Sequence, residues 1–174
     1  MKEFVVNHCT VTPMRQEPSE GSEQLTQLLF GEVCEVLDRL PRWTKIRSTM
    51  DGQEGWVDFK MLSPACNPSL LTSHLPATVV AIPMAVATDM ETGEEVMLTL
   101  GTRLPNYAHG TFEVLQKKYL IDPACVNNAT QLLNSDLSRA ELPNNVCATA
   151  QTLLNAPYLW GGKNAMGIDC SGFT

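Results

Sequence analysis

The sequence predicts a mainly β protein in which two small β units follow one another and a helical segment comes after them. Three observations carry that expectation. Short runs alternate on a two-residue period between turn residues, the same pattern returns after a proline-rich interruption, and helical spacing takes over beyond Pro123.

In the first unit, Glu32 to Asp38 (EVCEVLD), Trp43 to Thr49 (WTKIRST) and Glu54 to Phe59 (EGWVDF) read as strands, and Asp51-Gly52 between the last two is a hairpin signal. Pro64 to Ala77 carries three prolines and reads as a linker. The second unit is expected from TVVAIPMAVAT (from Thr78), EEVMLTLGTRLP (from Glu94) and FEVLQKKYLID (Phe112 to Asp122), with a turn at Thr92-Gly93. The likeness between the units is one of pattern rather than identity, and each has the size of a small domain able to fold alone. The segment NNVCATAQTLLN places Val146, Cys147, Ala150, Leu153 and Leu154 on one helical face, with Asn144 or Asn145 as cap after Pro143 and a stop at Ala156-Pro157. The expected organisation is 1–63 for the first β unit, 64–77 for the linker, 78–125 for the second β unit and 126–174 for the start of a third unit.

Composition narrows the function. The 174 residues are 44% hydrophobic and 18% charged, as in a folded globular chain, and the formal net charge is -7. No stripe of Lys or Arg offers itself to phosphates, so neither nucleic acid nor an anionic membrane surface is an expected partner. The first residues, MKEFVVNHCTVTP, hold no apolar run of signal-peptide length, which gives a cytoplasmic expectation for the chain as written, or the cell envelope if a leader was removed. Six scattered cysteines (Cys9, Cys34, Cys66, Cys125, Cys147, Cys170) make no CxxC pair and have no His at metal spacing. Five read as buried or half-buried thiols of a reducing compartment, and neither a metal nor another cofactor is expected.

Cys170 differs from the other five. In WGGKNAMGIDCSGF, Asp169-Cys170-Ser171 stands where a loop turns into a helix. An Asp cap satisfies free backbone N–H groups, and a thiol in a helix's first turn feels a field that favours thiolate. Such a thiol is a nucleophile, and nearby backbone N–H groups are able to receive an oxyanion. By themselves the four residues D-C-S-G fit a structural cysteine beside a turn equally well.

The longer string YLWGGKNAMGIDCSGF resembles the nucleophile segment of the NlpC/p60 cysteine peptidases, Y-x-W-G-G, a short loop, then G-x-D-C-S-G-F, with every fixed position present from Tyr158 to Phe173. Upstream, PMRQEPSEGSEQLTQLLFGE, W-x-x-I-R and DGQEGWVD resemble the first of two bacterial SH3-like domains that precede the peptidase in the branch of γ-D-glutamyl-diamino acid endopeptidases. The resemblance implies two SH3-like β-barrels in tandem, followed by the opening of a papain-like α+β peptidase domain. It also implies a monomer whose partner is a peptidoglycan-derived peptide, L-Ala-γ-D-Glu-diamino acid, cut after the D-Glu.

On the same resemblance Cys170 is the nucleophile. Tyr158 lies near the oxyanion or leaving group, Asp169 and Ser171 help hold the L-Ala-γ-D-Glu end, and Glu17 is a candidate acidic contact to its amine. The first SH3-like domain walls one side of the cleft, and Gln53 stands where related sequences often have Tyr. The family's His base lies well after the cysteine helix. His8, His74 and His109 all precede it, so the 174-residue chain is expected to be inactive by itself. The alternative function is a non-catalytic SH3-like module that binds wall peptide or glycan. Trp43 and Trp56 read as strand core, Met84, Met90 and Met97 as gap fillers, and Glu91, Glu94 and Glu95 as a solvated turn.

Overall fold

The computed structural model of the protein describes residues 2–65, 78–128 and 141–173. The first β unit is one curled antiparallel sheet built from β1 (Phe4–Asn7), β2 (Val11–Arg15), β3 (Gln24–Leu29), β4 (Val33–Arg39), β5 (Trp43–Ser48), β6 (Glu54–Asp58) and β7 (Leu62–Pro64). Its order is β3-β2-β6-β5-β4-β1-β7. Register shifts at Met14/Arg15 and Val36/Asp38 bend β2 and β4, the usual device for curling a sheet around a small core. That core is Val5, Met14, Leu28, Cys34, Ile46 and Val57, and burial pushes the Cys34 thiol pKa well up.

The Asp51-Gly52 turn forms as expected: Gly52 adopts φ 75 and donates its N–H to the Ser48 carbonyl at 3.1 Å. One buried polar group ties three segments of this unit together. The Asn7 amide donates to the carbonyls of Cys9 and Leu29 at 2.9 Å each, and its oxygen accepts from the Thr12 hydroxyl at 2.7 Å. A saturated network of this kind costs little to bury and fixes one arrangement of the strands.

The second unit contains β8 (Thr78–Val80), β9 (Met84–Asp89), β10 (Glu95–Thr99), β11 (Thr111–Val114), β12 (Lys117–Ile121) and β13 (Val126–Asn128). They form a four-stranded sheet of order β10-β9-β12-β11 and a β13-β8 pair. Two expected strands are each divided. TVVAIPMAVAT breaks before Met84 at Pro83, which has no N–H to give a ladder. FEVLQKKYLID is a hairpin rather than one strand, because Leu115 and Gln116 both take positive φ (54 and 64) and reverse the chain. Neither residue type advertises that backbone, so the turn has no compositional signal.

The expected gap-filling methionines are also corrected. Met84, Met90 and Met97 are exposed, because β9 and β10 turn Ala85, Ala87 and Leu98 inward and the alternate positions outward. Trp43 is buried and Trp56 half-buried. Among the described residues no His/Cys/Asp/Glu group could hold a metal ion, and no helix is long and apolar enough to cross a membrane.

The two units share a core. Val6 and Phe30 of the first pack with Val80, Leu98, Phe112 and Tyr119 of the second. Phe30 meets the Tyr119 ring edge-on at 5.5 Å between centroids, and Phe112 stacks on the same ring at 5.3 Å. The third segment holds α1 (Glu141–Gln151), the short pair β14 (Lys163–Asn164) and β15 (Gly167–Ile168), and the single helical turn α2 (Cys170–Phe173). Helix α1 starts before the expected Asn144 or Asn145 cap, with Pro143 in its first turn, where a missing N–H costs nothing. It ends at Gln151 in tightened i,i+3 bonds, short of Ala156-Pro157. Val146 on α1 and Leu154 in the turns after it are 66% and 71% exposed. Cys66, His74 and residues 66–77 of the expected linker lie outside the described residues.

Asp89 closes the β9–β10 turn and gives the fold an acid-sensitive point. Its carboxyl pKa falls to about 2, first through the Lys117 ammonium at 2.8 Å and then through the N–H groups of Glu91 and Thr92. The pKa is lower folded than unfolded, so unfolding takes up a proton. This contribution is complete above the ordinary value of 3.8 and is lost as the pH falls through about 2. Asp89→Asn is expected to lower the urea midpoint at pH 7. It should also flatten the pH dependence of that midpoint between 3.8 and about 2.

Phe30→Ala is expected to destabilise the chain by about 3–5 kcal/mol, since it empties the shared core of an aromatic ring. Urea unfolding followed by tryptophan fluorescence measures the loss.

Candidate active site

The segment from Ala156 to Phe173 folds back on itself through backbone bonds. Leu159 N–H donates to the Ile168 carbonyl, Ile168 N–H to Pro157, and Asp169 N–H to Gly162. The motif's glycines sit where these strands touch. A Cβ on Gly172 would overlap the Gly162 carbonyl, and one on Gly161, at φ 70, would stand 2.7 Å from the Gln24 carbonyl oxygen of β3. The first contact lets the cysteine turn pack on its own loop, and the second lets that loop lie on the first β unit.

Asp169 caps α2. It is buried, and its Oδ1 accepts from the Gly172 N–H at 2.7 Å and the Ser171 hydroxyl at 2.8 Å, while Oδ2 accepts from the Gly161 N–H at 2.8 Å. These donors, the Gly172 N–H foremost, hold its carboxyl below the usual range. Both oxygens are thus engaged by the chain itself. Phe173 N–H reaches the Asp169 carbonyl at 3.0 Å, which closes the turn that begins with the exposed Cys170.

The loop is fastened to β3 and to the turn that follows it. Trp160 Nε1 donates to Glu23 at 2.9 Å, and Gln24 Nε2 donates to the Trp160 carbonyl at 2.9 Å. Gln27 Oε1 accepts from both Lys163 N–H at 3.1 Å and Asn164 Nδ2 at 2.7 Å. Lys163 Nζ reaches Glu32 Oε1 at 2.9 Å. Burial pushes the Glu32 carboxyl pKa up, and the Lys163 charge opposes that shift. The pair is shielded on both sides, so its value lies in fixing position more than in net stability.

A cleft of about 300 Å3 opens along this seam. Leu25, Thr26, Asp51 and Gln53 of the first unit form one wall, and Asp169 and Ser171 stand on the other. Cys170 lies between those last two in sequence. Of the residues singled out from the sequence, the fold gathers Asp169, Ser171 and Gln53 along this cleft, while the exposed Cys170 is not among the residues lining it. Tyr158 is 69% exposed and bridges Ile168 beside the same loop. Glu17 is exposed in the β2–β3 connection, where its N–H binds the Ser22 hydroxyl, and it is not among the residues lining the cleft.

Sequence reasoning missed Thr26, Asp51 and the fastening residues Glu23, Gln24, Gln27 and Glu32. One signal was present: Gln27 is a polar residue inside the run QLTQLLF, and it is buried.

Fold and site together define an SH3-like β body joined to a segment that carries an exposed cysteine on a capped helical turn. Residues 10–63 match the family of bacterial SH3 domains. The chain is homologous to γ-D-glutamyl-L-lysine dipeptidyl-peptidases. It is 27% identical to the one from Bacillus cereus over 164 residues, covering 86% of this chain and 48% of that protein. It is 26% identical to the one from Bacillus subtilis over 160 residues, covering 85% and 50%. The chain thus spans about half the length of the curated relatives it matches.

Two solved structures share the fold. An NlpC/P60 family protein from Bacillus cereus superposes with a TM-score of 0.77 at 19% identity, covering 98% of this chain and 70% of that one. An NlpC/P60 endopeptidase from Photobacterium damselae gives 0.65 at 15% identity, covering 97% and 40%.

Replacing Gln27 by Leu removes the acceptor shared by Lys163 and Asn164 and leaves buried donors unpaired, a loss of about 1–3 kcal/mol at this seam. Hydrogen exchange at Lys163 is expected to accelerate roughly tenfold or more, while the amides of β4 and β5 keep their protection. Equal protection at Lys163 in both proteins would show that the loop does not depend on Gln27.

Proposed function

We propose that this chain supplies the nucleophile and one substrate wall of a cysteine peptidase. The proposed reaction is hydrolysis of the γ-D-glutamyl-diamino acid bond in peptidoglycan stem peptides that carry a free N-terminal L-Ala. The observation that carries the reading is Cys170 opening a capped helical turn whose Asp169 and Ser171 line a cleft with the first β unit as its other wall. Homology to proteins named γ-D-glutamyl-L-lysine dipeptidyl-peptidases supplies the bond class.

In this reading the Cys170 sulfur attacks the γ-carbonyl carbon of D-Glu, and the carbonyl electron pair moves onto oxygen. Collapse of that adduct expels the amine of the diamino acid, which leaves with a proton, and the acyl group stays on sulfur as a thioester. Water then releases the L-Ala-D-Glu product and restores the thiol. Tyr158 stands near the oxyanion or the leaving group. Asp169 acts first by holding the turn, since three internal donors occupy its carboxylate, and Ser171, Asp51 and Gln53 face the L-Ala-γ-D-Glu end.

The proton traffic needs a base. His8 binds the Ser63 hydroxyl at 2.9 Å in the first unit, His109 lies in a turn of the second at φ 50, and His74 is outside the described residues. Accordingly the 174-residue polypeptide alone is expected to show no hydrolysis of L-Ala-γ-D-Glu-diamino acid. Turnover that disappears in Cys170→Ser would overturn this statement. An L-Ala-γ-D-Glu chloromethyl ketone is expected to alkylate Cys170 ahead of Cys147, which is also exposed, read by peptide mass mapping. Equal labelling of the two would remove the case for a selected nucleophile.

A further inference from the structure

Strand β10 ends the sheet of the second unit, and among the described residues it pairs with β9 alone. The Asp89 N–H donates to the Glu94 carbonyl at 2.8 Å and the Leu100 N–H to the Pro83 carbonyl at 3.3 Å, one bond at each end of this antiparallel ladder. Every second residue of such a ladder bonds its partner, which commits Val96 and Leu98 to β9. Glu95, Met97 and Thr99 therefore turn their N–H and C=O groups away from β9. Thr99 bears this out, since its N–H takes the Thr102 hydroxyl at 3.3 Å. No such bond reaches the main chain of Glu95 or Met97 among the described residues, so each leaves a donor and an acceptor open.

Other edges are closed. On β11 the Glu113 N–H is bound to the Pro105 carbonyl at 3.0 Å. On β7 Pro64 has no N–H, and the Leu62 N–H returns to the Phe59 carbonyl.

The open stretch of β10 borders a second cavity, of about 660 Å3, which shares no lining residue with the cleft beside Cys170. Glu95 and Val96 stand on one side of it, His8, Ser63 and Pro64 of the first unit on another, and Phe30 and Leu115 add apolar wall. Val96 is half-buried and packs toward the core, whereas Met97 on the other face is exposed beside Val86.

We propose that β10 receives an extended peptide segment as an added antiparallel strand, with one apolar side chain of that segment in the cavity. The edge itself sets the class of partner: main-chain donors and acceptors at strand spacing are met by another strand, and a pocket beside them reads alternate side chains. The peptide residues opposite Glu95 and Met97 exchange the main-chain bonds. The residue between them lies opposite Val96 and shares its face, so its side chain enters the cavity. Every pair in this sheet is antiparallel, which sets the direction. A single chain suits the space better than a second copy of the protein, because the first unit stands across the cavity from β10. The inference is independent of Cys170 and of the reaction proposed for it.

The test is an NMR titration of the full 174-residue chain with acetyl-Thr-Val-Leu-Gln-Thr-amide, whose Val, Leu and Gln lie opposite Met97, Val96 and Glu95. Saturable shifts and slower hydrogen exchange are expected at the Glu95 and Met97 amides. Methylating the Val nitrogen removes a donor to the Met97 carbonyl and is expected to weaken binding about fivefold or more. The Leu nitrogen points away from β10, so methylating it is expected to change the affinity by less than about twofold. Asn in place of that Leu forfeits apolar burial and is expected to weaken binding roughly tenfold. Met97→Pro removes the edge donor at a position whose N–H the ladder does not use, and is expected to weaken binding about fivefold while the β9 amides stay protected. The methylated peptides decide the question without altering the protein. Equal binding of the two would overturn the assignment, as would no saturable shift or shifts that map to Thr26 and Gln53. Exchange at Glu95 and Met97 that slows with protein concentration in the absence of peptide would overturn it too, since a second copy would then hold the edge.

Discussion

The position of the cysteine turn depends on one side chain of another unit. Gln27, on β3, presents a single amide oxygen to Lys163 N–H and Asn164 Nδ2, and Lys163 then reaches past it to Glu32. What it holds is small: a pair of two-residue strands and a four-residue helix. Elements of that length have no stability of their own, because a helical turn costs more to nucleate than it returns and an isolated hairpin is marginal in water. The loop's own bonds through Asp169 give it a shape, and β3 gives it a place.

The same strand organises the other seam. Glu23 to Gln27 face the cysteine segment, and three residues on, Phe30 enters the core of the second unit and meets Tyr119 edge-on. Gly31 follows at φ 77, and a Cβ there would stand 3.2 Å from a Val114 methyl carbon. The path Glu23 to Gly31 is therefore in contact with all three parts of the molecule. A shift of β3 would be felt at the cleft and in the shared core together, which makes the first unit a support for the cysteine rather than an appendage to it.

How far the sequence reveals this depends on whether a feature is local. The Asp51-Gly52 hairpin is legible because Gly alone removes the cost of φ 75, and the strands on either side alternate cleanly. The Leu115-Gln116 reversal is not, since neither residue type favours the positive φ that the β11–β12 pairing imposes on it. The methionines misled for a similar reason: hydrophobicity does not say which face of β9 and β10 is covered. At the site, the glycines and Asp169 are legible because close backbone approach and capping leave few residue choices. Glu17 entered through the resemblance and lies outside the lining of the cleft, whose wall in the first unit includes Asp51 and Gln53, brought over by the β5–β6 turn. No spacing rule connects residue 51 to residue 170; only the folded path of β3, β5 and β6 does.

The two openings described here lie at seams, and that too follows from size. The first unit's sheet curls around six buried side chains that fill its interior. In these two openings one unit's surface meets another's, and the lining takes its chemistry from both. The cleft beside Cys170 combines polar side chains of the hairpin with the thiol-bearing turn. The cavity beside Tyr119 combines the aromatic end of β3 with the acidic edge of β10. Two β units of similar pattern thus present different chemistry, because what each contributes is decided by its neighbour and not by its fold.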